Sequence, residues 1–172
     1  RVFVKLGVDN DVDSLVEKEI KSNSRAKQKL GTGPVSVVDP SSQINELRLR
    51  KSSAEIELMR HSAKIASQAH IQAMANTRPG VGEWQLEGII EGVFKYCKSS
   101  GIAYPCIIGS GDNATILHYT VNNDICEEGE ILLIDAGCEY NGYASDITRS
   151  WPVNGKFTEA QSEIYQIVLD SQ

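Results

Sequence analysis

The sequence predicts an α+β domain, and three observations carry that expectation. Two long helical patterns fall between residues 51 and 99. A Gly-punctuated stretch of strand-like sequence runs from residue 101 to about 153. A last helix opens at Thr158. Helices grouped apart from antiparallel strands, rather than alternating with them, belong to the α+β class.

The elements follow in order. "RVFVKLGV" reads as a strand, and "DVDSLVEKEIKSNSRAKQKL" as a polar-faced helix with Leu15, Val16 and Ile20 at helical spacing. "GTGP" at 31–34 breaks that helix and "VSVVDP" reads as a short strand. Residues 1–40 cannot bury a core of their own, so they are expected to be the tail of a preceding domain and its linker. The Arg start, and a final helix without a C-cap, suggest a piece of a longer protein. In "KSSAEIELMRHSAKIASQAHIQAMANTRPG", Ser52 and Glu55 fit a capping box. Ile56, Met59, Ala63, Ala66, Ala69 and Ala73 form an apolar stripe of mostly small residues, closed by Pro79 and Gly80. A second helix is expected from Glu83 to about Ser99. Its buried face would be Trp84, Ile89, Ile90, Val93, Phe94 and Cys97, with Gly101 just past its end. "YPCIIGSGDNATILHYT" reads as strand, Gly-rich turn, strand, and "EEGEILLIDAGCEYNGYASDITRSWPV" as a turn and a hairpin. Thr158 with Gln161 fits another capping box.

The bulk numbers exclude several function classes. The chain has 172 residues, 41% of them apolar, enough for a real core. A net charge of −6 without a basic cluster argues against nucleic acid as partner. No run is long enough to cross a bilayer and no signal-peptide layout is present, so no membrane partner is expected. Cys97, Cys106, Cys126 and Cys138 form no C-x-x-C pair, which speaks against structural zinc and for free thiols in a reducing compartment. The sequon at Asn113 is read as a chance match.

The chemistry is concentrated in "ILLIDAGCEYNGYASDITRSW". Asp135 and Asp146 sit inside predicted strands, where Asp is a poor fit and a buried carboxylate is costly. Asn141-Gly142 is a type I′ hairpin signal, which pairs Tyr140 with Tyr143. Asp135 then faces Thr148, and Asp146 lies on the same face as a diagonal neighbour, roughly 7–8 Å away at Cα. A three-residue loop would put the two on opposite faces. Converging carboxylates repel, so either one takes up a proton or a cation lies between them. Oxygen ligands favour Mn²⁺ or Mg²⁺, with Zn²⁺ or Co²⁺ when His joins. The competing reading ties one Asp to a turn and the other to Arg149, whose parity is wrong for it. His118, in "ILHYT", reads by itself as a core His on a strand. His61 and His70 read as ordinary helix-face residues. "GSGDN" lacks the P-loop Lys and the Rossmann spacing.

At these residues a family resemblance enters. "LIDAGCEYNGYASDITRSWPVNGKFTEAQSEIYQIVL" closely resembles the aminopeptidase P (Xaa-Pro aminopeptidase) branch of the pita-bread metallopeptidases. "LRLRKSSAEIELMRHSAKIASQAH" and "GSGDNATILHYTVNN" resemble neighbouring parts of the same domain, so the likeness covers about residues 40–172. The resemblance implies a pita-bread (creatinase/aminopeptidase) fold, a curved antiparallel sheet with flanking helices. Residues 41–172 would be the first half of its catalytic domain, and residues 1–40 the tail of a creatinase-like N-terminal domain. It further implies two divalent metal ions, Mn²⁺ for preference, with Asp135 chelating one and Asp146 bridging both. His118 would be a catalytic, substrate-binding His near the scissile bond, and the substrates peptides with an N-terminal Xaa-Pro. The implied full-length enzyme is a homo-oligomer within the cell, cytoplasmic or mitochondrial. The family's metal-binding His, its two Glu and a second catalytic His have no match here. Two of five expected ligands are present, and this piece alone should not catalyse. Prolidase, cleaving Xaa-Pro dipeptides, and a catalytically silent peptide-binding relative are the rival readings.

Overall fold

The computed structural model describes residues 1–30 and 36–172, with side chains outside 24–30. It divides into two units, Arg1–Ser52 and Ser53–Gln172.

In the first unit, β1 (Val2–Phe3) pairs in parallel with β2 (Val37–Val38). Helix α1 spans Asn10–Leu30, and the Asp9 carboxylate accepts from the Asp11 and Val12 amides at its start, at 2.9 and 3.1 Å. Val16 and Ile20 are half-buried while Leu15 is exposed. The expected break at 31–34 lies outside the described residues. Helix α2 (Ser41–Leu49) was not anticipated. None of its residues is buried, so it carries no apolar stripe for periodicity to detect.

The second unit follows the predicted order except at "ILHYT", which forms no strand. Helix α3 spans Ser53–Asn76 and α4 spans Glu83–Tyr96. Strands β3 (Gly101–Ile102) and β4 (Ile107–Ser110) follow, then a short 3₁₀ helix, Gly111–Thr115. Strands β5 (Ile131–Ala136), β6 (Cys138–Tyr140), β7 (Tyr143–Ala144) and β8 (Ile147–Pro152) come next, and α5 (Glu159–Ser171) ends the chain. Two antiparallel sheets form, ordered β4-β5-β8 and β3-β6-β7.

One face of the sheets is closed by α3 and α4. Leu132, Ile134, Ala136 and Cys138 alternate inward and meet Ile65, Ala66, Ala69, Leu86, Ile90 and Phe94. Each fully buried Leu, Ile or Phe in such a layer contributes about 1.5–3 kcal/mol. The buried stripe of α3 is Ser62, Ile65, Ala66, Ala69, His70 and Ala73. The predicted stripe runs on to Ile56 and Met59, but both are about 40% exposed, because the covered side of the first turns carries Glu55 and Leu58 instead. His70 is a core residue rather than a helix-face one. Its Nδ1 lies 2.9 Å from the Ala66 carbonyl. Trp84 lies outside the core, folded back over Gly82. Lys98, at φ +58, supplies the left-handed residue after α4 that the sequence assigns to Gly101. The Thr158 cap forms as expected, with Thr158 Oγ1 accepting from the Gln161 amide and Gln161 Oε1 accepting from the Thr158 amide.

Helix α3 also grips the hairpin from behind. Ser62 Oγ donates to the Cys138 carbonyl at 2.8 Å, and the Tyr143 hydroxyl donates to Glu55 at 2.7 Å. The His61 and Tyr140 rings lie 4.3 Å apart.

Candidate metal centre

Asn141 and Gly142 both have positive φ, +50° and +84°, the type I′ geometry. Tyr140 pairs with Tyr143 and Asp135 with Thr148, so the register is the expected one. The ladder is interrupted at residues 137 and 145–146, so Asp146 lies between β7 and β8 and not inside a strand as the sequence predicts. The register is kept: the Ser145 amide donates to the Cys138 carbonyl at 2.9 Å and Ser145 Oγ accepts from the Cys138 amide at 3.0 Å. Asp135 and Asp146 therefore share the face turned away from the helices, Asp135 half-buried and Asp146 exposed.

The two carboxylates converge on one hydroxyl. Tyr104 lies in the connection between β3 and β4. Its oxygen is 2.5 Å from Asp135 Oδ1 and 3.0 Å from Asp146 Oδ1. A phenol has one proton, so it can donate to only one of them at a time. Burial first, and then the bonds to Asp135 and Asp146, hold this phenol far above its ordinary pKa, so it remains a donor. Arg149 does not answer the charge. It pairs with Ile134 on the opposite face, and its guanidinium donates to the Thr148 carbonyl. Among the described residues no cation pairs with either Asp, and no third His, Cys, Asp or Glu joins them. Two hard oxygen donors on one face, with charge left over, form a donor set that suits a small divalent cation.

His118 stands elsewhere than the sequence implies. It is exposed, in a turn after the 3₁₀ helix, at φ +57, and not on a strand. At Gly109 a Cβ would come within 2.8 Å of the Asn113 backbone, so the glycine lets the 3₁₀ helix pack closely on β4 just before this turn. His118 nevertheless shares a pocket of about 320 Å³ with Asp135, walled by Ile107, Leu117, Leu133 and Thr148. Asp146 does not line that pocket; it is joined to Asp135 through Tyr104.

Two residues of this centre escape sequence reasoning. Tyr104 carries no periodic signal, only its place before Pro105. Gly137 carries one: a Gly inside a strand pattern marks a close backbone approach. A Cβ there would lie 1.7 Å from the Ser145 carbonyl oxygen and 3.1 Å from the Tyr104 ring.

Comparisons with known proteins bear on this centre. Residues 57–172 match the model of metallopeptidase family M24. The chain is 45% identical over 159 residues to the Xaa-Pro aminopeptidase of Escherichia coli strain K12, covering 92% of this chain and 36% of that protein. It is 45% identical over 132 residues to human Xaa-Pro aminopeptidase 3, covering 75% of this chain and 25% of that protein. Its structure matches an E. coli aminopeptidase P variant in complex with substrate at a TM-score of 0.91, with 44% identity, over 99% of this chain and 39% of that one. The chain thus spans about a third of the length of the relatives it matches.

Proposed function

The chain belongs to metallopeptidase family M24, and from that premise we propose that it forms part of an Xaa-Pro aminopeptidase, with Asp135 and Asp146 as metal ligands and His118 as a substrate-binding group. Residues 41–172 would supply one wall of the catalytic domain, and residues 1–40 the end of the domain before it. The observation that carries the reading is the pair of carboxylates on one open face, without a cationic partner among the described residues, meeting at Tyr104. When bound, a pair of divalent ions, Mn²⁺ for preference, supplies Lewis acidity and an acidified water for attack on the peptide carbonyl.

The chain's own residues have separable tasks. Asp135 offers oxygens from β5 and Asp146 from the short link just before β8, and the β5–β8 pairing that ends at Ala136 and Ile147 keeps the two close. Tyr104 donates to whichever carboxylate oxygen is left free, which restrains both side chains. His118 can donate to the substrate carbonyl oxygen as negative charge grows there. The apolar walls of the shared pocket, Ile107, Leu117 and Leu133, keep water from the far side of that carbonyl. Substrates would be peptides with an N-terminal Xaa-Pro, and the compartment a reducing one inside the cell, in keeping with four free thiols.

The test uses full-length protein with added Mn²⁺ and a series of Xaa-Pro peptides of increasing length. Release of the first residue from long peptides, abolished together with metal uptake in Asp146→Ala, is the expected result. Cleavage of dipeptides alone would indicate a prolidase. Activity that survives Asp146→Ala would refute the proposal.

A further inference from the structure

Resting on the peptidase reading above, we propose that Glu83 is a positioning residue for His118, acting through the loop that carries it. Glu83 opens α4, and its side chain is fully buried. A buried carboxylate is unfavourable unless donors surround it. Four do. Glu83 Oε1 accepts from the Ser110 amide at 2.9 Å and from the Asn113 side-chain amide at 3.2 Å. Glu83 Oε2 accepts from the Tyr119 hydroxyl at 2.9 Å and from the Asp124 amide at 3.0 Å. The N-terminus of α4 adds its own favourable field.

Those donors bracket His118 in sequence. Ser110 and Asn113 precede it, Tyr119 adjoins it and Asp124 follows. One carboxylate thus gathers the end of β4, the 3₁₀ helix and the return of the loop. The Asn113 amide also donates to the Tyr119 hydroxyl at 3.1 Å, which closes the network. His118 itself makes no hydrogen bond with the described residues, so no polar contact fixes its ring and its placement depends on the backbone beneath it. That backbone is left-handed at His118 and again at Asn122, φ +57 and +49, conformations that persist only where the surroundings impose them. At Asn122 its own side-chain bonds to Ile108, Cys106 and Glu87 impose it, and around His118 the bonds of Glu83 to both flanks do, which sets the backbone from which the imidazole projects.

A purely structural Glu83 makes a different prediction from a positioning one, and a double-substitution cycle separates them. In full-length, Mn²⁺-loaded enzyme, Glu83→Gln keeps the side-chain size but turns an amide donor toward the donors around it. The expected result is a fall in kcat on the order of 100-fold, as for a catalytic group displaced by about 1 Å, with unchanged metal content. In a His118→Gly background, where glycine keeps the left-handed backbone, Glu83→Gln should change kcat by less than about 2-fold. An equal fall in both backgrounds, or loss of metal, overturns the proposal. If Glu83→Gln does not fold, Tyr119→Phe removes a single donor and carries the same cycle. The His118 imidazole signals in a ¹H–¹³C spectrum give a readout independent of turnover. Broadened or split signals in the variant support the proposal, and one unchanged set refutes it. If unsubstituted enzyme releases nothing from Xaa-Pro peptides while those signals still respond, the peptidase reading falls and the positioning role of Glu83 stands.

Discussion

Replacing Gly137 by Ala is the most severe single-methyl change the hairpin can receive. The added Cβ would lie 1.7 Å from the Ser145 carbonyl oxygen and 2.6 Å from its carbon. Both are backbone atoms, so no side chain can swing aside. Real Cβ atoms keep at least about 3 Å from such an oxygen, so the strands must part by over about 1 Å at this rung. Ser145 cannot yield alone, because it is bonded to Cys138 through both its amide and its hydroxyl. The same methyl would press on Tyr104, 3.1 Å away. Overpacking of this kind costs about 3 kcal/mol, the upper end of the usual range. For a domain of this size that is a fall in melting temperature of roughly 6–12 °C. The site suffers as well, since Asp135 is two residues before Gly137 and Asp146 directly follows Ser145. Full-length Gly137→Ala should therefore melt early and take up less metal by elemental analysis. A variant with an unchanged melting temperature and full metal content would refute the close-approach argument.

Three further outcomes follow from the geometry. Tyr104→Phe leaves the carboxylates without their shared donor and should destabilise the EDTA-treated protein by about 1.5–3 kcal/mol, read by thermal melting; no loss would mean that the hydroxyl is idle. Burial pushes the Cys126 thiol up to about 11 and, helped by Glu91 and Glu87, the Cys106 thiol up to about 12. Both stay protonated at pH 8, so iodoacetamide with mass mapping should modify half-buried Cys97 first, and equal rates at Cys106 or Cys126 would contradict this. Ser62→Ala leaves the buried Cys138 carbonyl without its Ser62 donor and should cost about 1–2 kcal/mol in the same melting assay, with metal uptake retained.

The parts of the fold that sequence reasoning reaches are those governed by local rules. The Asn141-Gly142 turn fixes its own backbone, and the two-residue side-chain period of strands then places Asp135 and Asp146 without further information. The Thr158 cap is equally local. What is missed depends on contacts between distant segments. Tyr104 meets Asp135 and Asp146 only after three strands have assembled. The donors to Glu83 arrive from a loop 27 to 41 residues away in sequence. His118 looks like a strand residue because "ILHYT" is apolar, yet the segment lies in a turn whose flanks are bonded to the distant, buried Glu83. The exposure of Ile56 and Met59 depends on which side of the first turns of α3 the hairpin covers, which no helical pattern encodes.

The ladder between β5 and β8 has one more consequence. Asp135 sits on paired backbone and Asp146 in the two-residue link before β8, next to Ser145, which is bonded to Cys138. With Ser62 and Glu55 gripping the hairpin from behind, side-chain rotation is the main adjustment left. Such a wall works as a fixed gauge. An ion that is too large cannot draw it wider, and one that is too small cannot pull it shut, so misfit must be absorbed by the waters and by whatever ligands face it. Discrimination among cations of similar charge would then be written into strand geometry, beyond the reach of any flexible loop.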